Sequence, residues 1–463
     1  LALGFALRIR QYLANRSLWL DEAMLALNIL HKDILGLFGK LDYNQGAPLG
    51  FLLLEKLAAT LFGNGERALR LLPLLAGCAS LVVFYLLARK ILNTPGLLTA
   101  LALFALSPTL IYYSSEVKQY STDVFITLVL LLVVLTHHSS PSFVTHYSLL
   151  VTGLVAPWFS HPAIFILAPT GIILLIENRK KPLSTLALGA AWLASFGILY
   201  LVSLRQLADN TFLLDYWREY FEAIPLAVLL GLFENPAALT ISAPLLGIGA
   251  LAGLAWLAKR NGRAALTLAL PLVFALLASI LGQYPLAGRM ALFTVPLIYI
   301  FLAGTVDWVW SIFPRPRFCS PLLALALAGT VLYAPALDSF QKFIAPKYPE
   351  HIRPAIVYLE ANLKPGDKVY VYNWSLPAFR YYADPGIEYV AGGLHTNDAQ
   401  ALLAELDQFK GQPRVWVLFS HVYEKGDDNE KSLMLKYLNQ LGQKKRQFIE
   451  PGTSIYLYLY DLK

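Results

Sequence analysis

Four short stretches of this chain carry residues with chemical reach. The first is Ser17–Leu18–Trp19–Leu20–Asp21–Glu22–Ala23, two adjacent carboxylates just beyond an apolar segment. Acids are costly to bring near hydrocarbon, so the pair calls for a reason. A carboxylate held there can act as a general base. The plain alternative is that Asp21 and Glu22 form the charged first turn of an interfacial helix, favoured by its dipole. The second stretch is Tyr112–Tyr113–Ser114–Ser115–Glu116–Val117–Lys118–Gln119–Tyr120, where eight of nine residues are polar or aromatic. It offers Glu116, Lys118 and Tyr120 together, although an interfacial aromatic belt has the same composition. The third, Ser160–His161–Pro162, reads as a functional histidine or as a helix-breaking turn. The fourth is Gln283–Tyr284–Pro285 leading to Arg289, whose alternative is an arginine snorkelling from a helix end. Arg8, Arg10 and Arg16 lie near the first acids, and cations so placed suit an anion.

The elements that must position these residues are apolar helices. Of 463 residues 57% are hydrophobic and 14% charged, whereas a soluble globular protein carries about 25% charge. The chain therefore reads as a multi-span membrane protein. Its net charge of +7 does not indicate nucleic-acid binding, because Lys and Arg cluster between apolar runs as they do in cytoplasmic loops. Cys78 and Cys319 suggest neither a disulfide framework nor a metal cluster. Residues 1–7 are too short to span a bilayer, so most of a first membrane helix is expected to be missing, and any targeting information with it.

Further apolar runs fall at about 71–88, 95–113, 121–136, 147–160, 161–176, 184–204, 237–258, 264–281, 291–312 and 320–336. With the first helix they make about eleven spans, most near the ~17–25 residues a helical span needs. Basic clusters follow alternate hairpins, at Arg89–Lys90, Arg179–Lys180–Lys181, Lys259–Arg260 with Arg263, and Arg315 with Arg317. Placing all four in the cytoplasm satisfies the positive-inside rule. This parity requires 147–176 to break into two short spans at Ser160–His161–Pro162. It puts 13–70, 114–122, His161, the loop 205–224, 283–289 and everything after Ala336 on the outer face. Arg8, Arg10 and Arg16 then lie outside against the rule, which binds a first loop of about sixty residues only weakly.

That loop is apolar, and 21–30 and 49–62 read as amphipathic helices lying in the interface. Between them, Asp42–Tyr43–Asn44–Gln45–Gly46–Ala47–Pro48–Leu49 has turn chemistry. From about Ser339 charge rises and long apolar runs stop, which divides the chain into a transmembrane part, 1–338, and an extracytoplasmic α/β domain, 339–463. In the second part helices are expected at 351–363, 376–382, 397–409 and 429–441. Strands are expected at 368–372, near 388–390, at 414–420 and at 454–460, in a mostly parallel sheet. It shows no Gly-rich phosphate loop and no metal-ligand spacing. Asn373–Trp374 and Tyr381–Tyr382 read as core and rim or as glycan contacts, and the domain as an acceptor-side or structural lid.

The order of these motifs resembles the GT-C superfamily of polyprenyl-phosphate-sugar glycosyltransferases, in the branch of protein O-mannosyltransferases and lipid A aminoarabinose transferases. The resemblance runs through Trp19–Leu20–Asp21–Glu22 and Gly46–Ala47–Pro48–Leu49, where the family more often has two prolines. It continues through Phe62–Gly63 and Ala68–Leu69–Arg70–Leu71–Leu72–Pro73. Then come Tyr113–Ser114–Ser115–Glu116–Val117–Lys118–Gln119–Tyr120, Ser160–His161–Pro162, and Arg289 with Pro296. These motifs cover roughly residues 8–300; the C-terminal part matches no subfamily.

The resemblance implies an inverting displacement at the outer membrane face, with a polyprenyl-phosphate sugar as donor and a glycan, lipid or protein as acceptor. A lipid phosphate leaves without a proton from an acid, so the paired acids of a glycosidase are not needed. One carboxylate takes the acceptor proton, and cations hold the departing phosphate. Asp21 would be the base, with Glu22 or Glu116 orienting acceptor or sugar. Lys118 and Arg289 would hold the phosphate, with Arg8, Arg16 and Arg70 as further cations and Tyr120 and His161 as substrate contacts. Some superfamily members use a divalent metal, which Asp21, Glu22, Glu116 and His161 could hold, although none is assigned. The location implied is a bacterial inner membrane. Two rivals fit less well. A transporter or lipid flippase predicts inverted repeats and mid-membrane ionisable residues, and no repeat is visible. A lipid-linked glycan polymerase or ligase expects large late outer loops carrying Arg and His.

Overall fold

The computed structural model describes every residue except 181, 209, 211–242, 313–318, 347, 349, 396–397, 423 and 426–427. Lys181, Arg315, Arg317, most of the loop 205–224 and the start of the run 237–258 thus lie outside the described residues. The chain divides into two compact units: Leu1–Ala14 with Lys32–Pro346, and Asn15–His31 with Lys347–Lys463. Composition had set the division at 338/339. The last long helix instead runs on to Ile344, so the rise in charge begins inside a helix. Residues 15–31 cluster with the second unit, and no local pattern announces this.

Helix α1 (Ala2–Leu13) belongs to the first unit and α2 (Leu20–His31) to the second. The first unit continues with α3 (Leu49–Phe62), the single turn α4 (Glu66–Leu69), α5 (Leu71–Ala88), α6 (Thr94–Leu106) and α7 (Pro108–Tyr113). Next come α8 (Tyr120–Ser139), α9 (Phe143–Phe159), α10 (Ile164–Glu177) and α11 (Leu183–Leu199), which passes through a π turn at Tyr200–Leu204 into α12 (Arg205–Ala208). It closes with α13 (Ala243–Arg260), α14 (Gly262–Ile280), α15 (Val295–Ser311) and α16 (Cys319–Ile344). Among the described residues six helices are long and apolar enough to cross a membrane, and Thr94–Leu106, Phe143–Phe159 and His161–Glu177 are shorter apolar helices.

The breaks have local causes. The run 95–113 is one span by composition but two helices in the fold, because Pro108 cannot donate to a continuing helix and Ser107 caps the new one at Leu110 N. The break at Ser160–His161–Pro162 is present. Ser160 is extended, a 3-10 turn covers His161–Ala163, and α10 follows. α3 buries Phe51, Leu52, Glu55 and Ala58 on one side while Leu54, Leu57 and Leu61 on the other are exposed, which suits a helix lying against lipid.

α15 is the hub of this unit and is buried along most of its length, packing on α6, α13 and α16. It meets α13 through glycines: a Cβ on Gly253 would stand 1.8 Å from the Phe301 carbonyl oxygen. Small residues permit such backbone approach where lipid gives helices no hydrophobic reason to associate. Asp307 on α15 accepts hydrogen bonds from Asn93 N and Gly96 N, both at 2.6 Å. A side chain from another helix thereby satisfies N–H groups that open α6.

The second unit is a five-stranded sheet in the order β2-β1-β3-β7-β6, with a separate small hairpin of β4 (Glu424–Lys425) and β5 (Asp428–Asn429). β1 (Lys368–Val371) pairs in parallel with β2 (Val390–Ala391) and β3 (Val415–Phe419), and β7 (Tyr456–Asp461) runs antiparallel to β3. The helices are α17 (Arg353–Asn362), α18 (Leu376–Tyr382), α19 (Ala399–Ala404) and α20 (Glu430–Leu441). The sheet is therefore mixed, not mostly parallel as expected. The reason is β6 (Gln443–Ile449), a basic and largely exposed strand that pairs antiparallel with β7. Its Lys444, Lys445 and Arg446 hide it from an apolar-pattern reading, yet charge on an edge strand guards against edge-to-edge pairing.

Candidate active site

The acids sit in the second unit. Asp21 and Glu22 open α2, and their surroundings differ. Glu22 is fully buried and pairs with Arg16, Oε2 to Nη1 at 2.5 Å. The same Oε2 accepts Trp19 N–H at 3.4 Å, an acid three residues into the helix reaching back to its start. Asp21, in the same turn, is only half-buried. The residues before α2 are also tied down. Ser17 Oγ lies 2.8 Å from His351 Nδ1, Leu18 N–H donates to Tyr382 Oη at 2.7 Å, and Leu20 N–H donates to Glu350 Oε2 at 3.1 Å. Arg353 donates to the Asn15 carbonyl at 2.6 Å, where Asn15 has φ of +48°. The bond from Leu20 uses a backbone donor that a helix start would otherwise leave unsatisfied.

The remaining candidates lie in the first unit. Between α7 and α8 the chain buries Ser114, Ser115, Glu116, Lys118, Gln119 and Tyr120 almost completely. Gly77 on α5 makes room, since a Cβ there would meet Ser114 Cβ at 2.6 Å. Lys118 Nζ donates to Gln45 Oε1 at 2.5 Å, and Gln45 comes from the turn that leads to Gly46–Ala47–Pro48. α8 packs against the 3-10 segments His161–Ala163 and Gly288–Thr294. Arg289, half-buried on the second of these, sits 5.8 Å from the Tyr120 ring centroid, a distance at which a cation is attracted to an aromatic face. Tyr284 Oη donates to the Met290 carbonyl at 2.8 Å, holding that segment.

The fold thus gathers Tyr120 with Arg289, and Lys118 with Gln45, while Glu22 and Arg16 engage each other. Arg8 is occupied elsewhere: buried, it donates to the carbonyls of Gly4, Phe104 and Ala105 and covers the Phe104 ring. A guanidinium on the last carbonyls of α6 offsets the negative end of that helix. Arg70 is buried where α4 gives way to α5. His161 is half-buried, with its Nε2 enclosed. Sequence reasoning passed over Gln45 and also Asp123, which is buried on α8 beside Ser160. An acid inside an apolar run was the available signal for Asp123. Glu55 on α3 was passed over too, and burial raises its carboxyl well above the usual range. Among the described residues no group of three His, Cys, Asp or Glu side chains could hold a metal ion.

Apolar helices broken by buried polar turns, together with a small α/β unit, make up a multi-pass membrane fold. The comparisons agree. Residues 46–206 match the family described as dolichyl-phosphate-mannose-protein mannosyltransferase. Across 99% of this chain and 97% of its own, ArnT from Cupriavidus metallidurans bound to undecaprenyl phosphate has the same fold, with a TM-score of 0.59 at 14% identity. The Archaeoglobus fulgidus oligosaccharyltransferase in complex with Zn and sulfate matches with a TM-score of 0.56 at 14% identity, over 90% of this chain and 67% of its own. No curated protein sequence matches the chain. The GT-C resemblance carried by the motif order is thus upheld, and with it the fold class.

Proposed function

We propose that the protein is an inverting membrane glycosyltransferase that moves a sugar from a polyprenyl-phosphate donor to an acceptor at the extracytoplasmic face. The observation that carries this reading is the division of labour between the two adjacent acids. Glu22 spends its charge on a buried arginine, while Asp21, one residue away, keeps a half-open position. A catalytic base must reach a substrate proton, and only the second arrangement allows that. The likeness to a fold seen with undecaprenyl phosphate, and the match to a family described by a lipid-phosphate sugar, support the donor class.

In the proposed reaction the Asp21 carboxylate takes the proton of the acceptor nucleophile as it attacks the anomeric carbon. The bond from that carbon to the phosphate oxygen breaks, its electron pair leaves with the polyprenyl phosphate, and the configuration inverts. Lys118 and Arg289 hold the departing phosphate, where cations aimed at developing charge in a site shielded from water are most effective. Glu116 and His161 orient the sugar, and Tyr120 sets the Arg289 guanidinium. Glu22 and Arg16 position Asp21. Arg8 is left out because its Nη1 and Nη2 donors are used by carbonyls. The helical part carries the donor in a groove open to lipid, and the α/β part faces the periplasm or exterior of a plasma membrane.

The test uses the protein in reconstituted membranes with a panel of radiolabelled polyprenyl-phosphate sugars and a membrane glycolipid extract as acceptor. Release of polyprenyl phosphate that falls at least ~100-fold in folded Asp21→Asn supports the base assignment. Equal release by both proteins removes Asp21 from the mechanism.

A further inference from the structure

We propose that Glu350 is a positioning residue for Asp21, acting through the backbone N–H of Leu20; this rests on the function proposed above. Glu350 lies some 330 residues beyond Asp21 in the chain, in the same compact unit. Its side chain is 11% exposed, and both carboxylate oxygens are engaged. Oε2 accepts the Leu20 N–H at 3.1 Å, and Oε1 lies 2.6 Å from His421 Nδ1. The carboxylate therefore bridges two loci: the residue immediately before Asp21 and the turn just after β3.

The far end of the bridge is itself held firmly. His421 has φ of +48°, in the left-handed region that a residue with a Cβ occupies at a cost and that persists only where surroundings fix it. Its ring centroid lies 6.3 Å from that of Trp19 and 6.4 Å from that of Trp374. Ser420, the preceding residue, donates its N–H to Ser375 Oγ at 2.6 Å, anchoring the turn to the segment before α18. Tyr382, the last residue of α18, takes the Leu18 N–H. The end of α18 and Glu350, itself bonded to the turn after β3, thus hold the backbone on the N-terminal side of Asp21 at Leu18 and Leu20. Neither contact touches the Asp21 carboxylate, so each sets where that carboxylate is without taking its lone pairs.

A carboxylate on the opening N–H groups of a helix is a favourable anion at a positive helix end. It also fixes the helix start within hydrogen-bond tolerance, and a misplacement of about 1 Å can cost about 100-fold in rate. Trp374, read from the sequence with Asn373 as core and rim or as a glycan contact, lies near His421 in this arrangement, as does Trp19.

The experiment measures kcat and donor KM for the full chain in reconstituted membranes. Glu350→Ala is expected to lower kcat about 10- to 100-fold with donor KM within about 2-fold, since the donor site is untouched. Glu350→Gln keeps an oxygen for Leu20 N–H and is expected to recover most of that loss, a rescue that a general loss of folding does not give. Tyr382→Phe, which removes the acceptor for Leu18 N–H, provides a variant of nearly unchanged shape and is expected to lower kcat about 3- to 10-fold. Wild-type kcat in Glu350→Ala overturns the proposal, as does a rise in donor KM without a fall in kcat. The two readings fail separately: wild-type turnover in Asp21→Asn sinks the base assignment, whereas an inactive Asp21→Asn beside a fully active Glu350→Ala sinks only the positioning role.

Discussion

Replacing each of the two neighbouring acids by its amide separates a structural carboxylate from a catalytic one. In Glu22→Gln the Arg16 guanidinium, 1% exposed, keeps its charge and loses the Glu22 carboxylate charge. Removing one partner of a buried pair costs about 3–5 kcal/mol. For a unit of somewhat over a hundred residues, at about 3–5 °C per kcal/mol, that is a fall of roughly 10–20 °C in Tm. Asp21→Asn removes a half-exposed charge from the first turn of α2, worth about 0.3–1 kcal/mol in the helix dipole, or a few degrees. The assay is tryptophan-monitored thermal unfolding in detergent, run beside donor turnover on the same preparations. Asp21→Asn is expected to lose turnover with its Tm nearly intact, and Glu22→Gln to lose Tm. Because it removes both charges of the pair together, Arg16→Met combined with Glu22→Met is expected to regain part of the stability lost in Glu22→Gln. If Glu22→Gln melts as the wild type does, the ion pair is not holding α2; if Asp21→Asn melts as low as Glu22→Gln, the division of roles is wrong.

Three further predictions concern the scaffold. Asp307→Ala strips α6 of two charge-assisted bonds and is expected to cost about 2–4 kcal/mol, with Asp307→Asn milder, measured as unfolding midpoints in a denaturant series. Gly253→Ala should destabilise far more than Gly304→Ala, because the first Cβ would lie 1.8 Å from a carbonyl and the second no nearer than 3.2 Å to any atom. Gly189→Ala, with no atom within 4 Å, should be near neutral, and yields of folded protein would rank the three. In the second unit burial pushes the Asp367 carboxyl up, but hydrogen bonds from Arg414, Trp416 and Lys364 N outweigh it and hold it below the usual range. A depressed acid stabilises the fold above its unfolded pKa, near 4, and that contribution is lost as pH falls through the folded value. The unit should therefore lose stability below about pH 4, and in Asp367→Asn that acid-dependent part should shrink, as followed by the pH dependence of its unfolding.

The membrane class, the helix positions and the polar turns were legible because each rests on a local pattern: apolar length, basic clusters in alternate loops, and Pro or Ser at a break. Ser160–His161–Pro162 shows this best, since charge parity alone demanded a break where the backbone turns. The edge strand Gln443–Ile449 escaped because its solvent face is basic and an apolar pattern was the signal sought. Gln45 escaped because its significance lies in Lys118, 73 residues away.

Sequence alone determined which residues have chemistry and, through hydropathy and charge, what kind of solvent the helices face. It named Asp21, Glu22, Arg8 and Arg16 together as an acid pair among cations, and only the family resemblance ranked them. Tertiary structure separated them, by pairing Arg16 with Glu22, seating Arg8 on the end of α6, and binding the start of α2 to Glu350 and Tyr382. Composition and periodicity act over a few turns of chain, whereas a charge is committed by whichever partner the fold brings within about 3 Å, and such partners lay up to some 360 residues away.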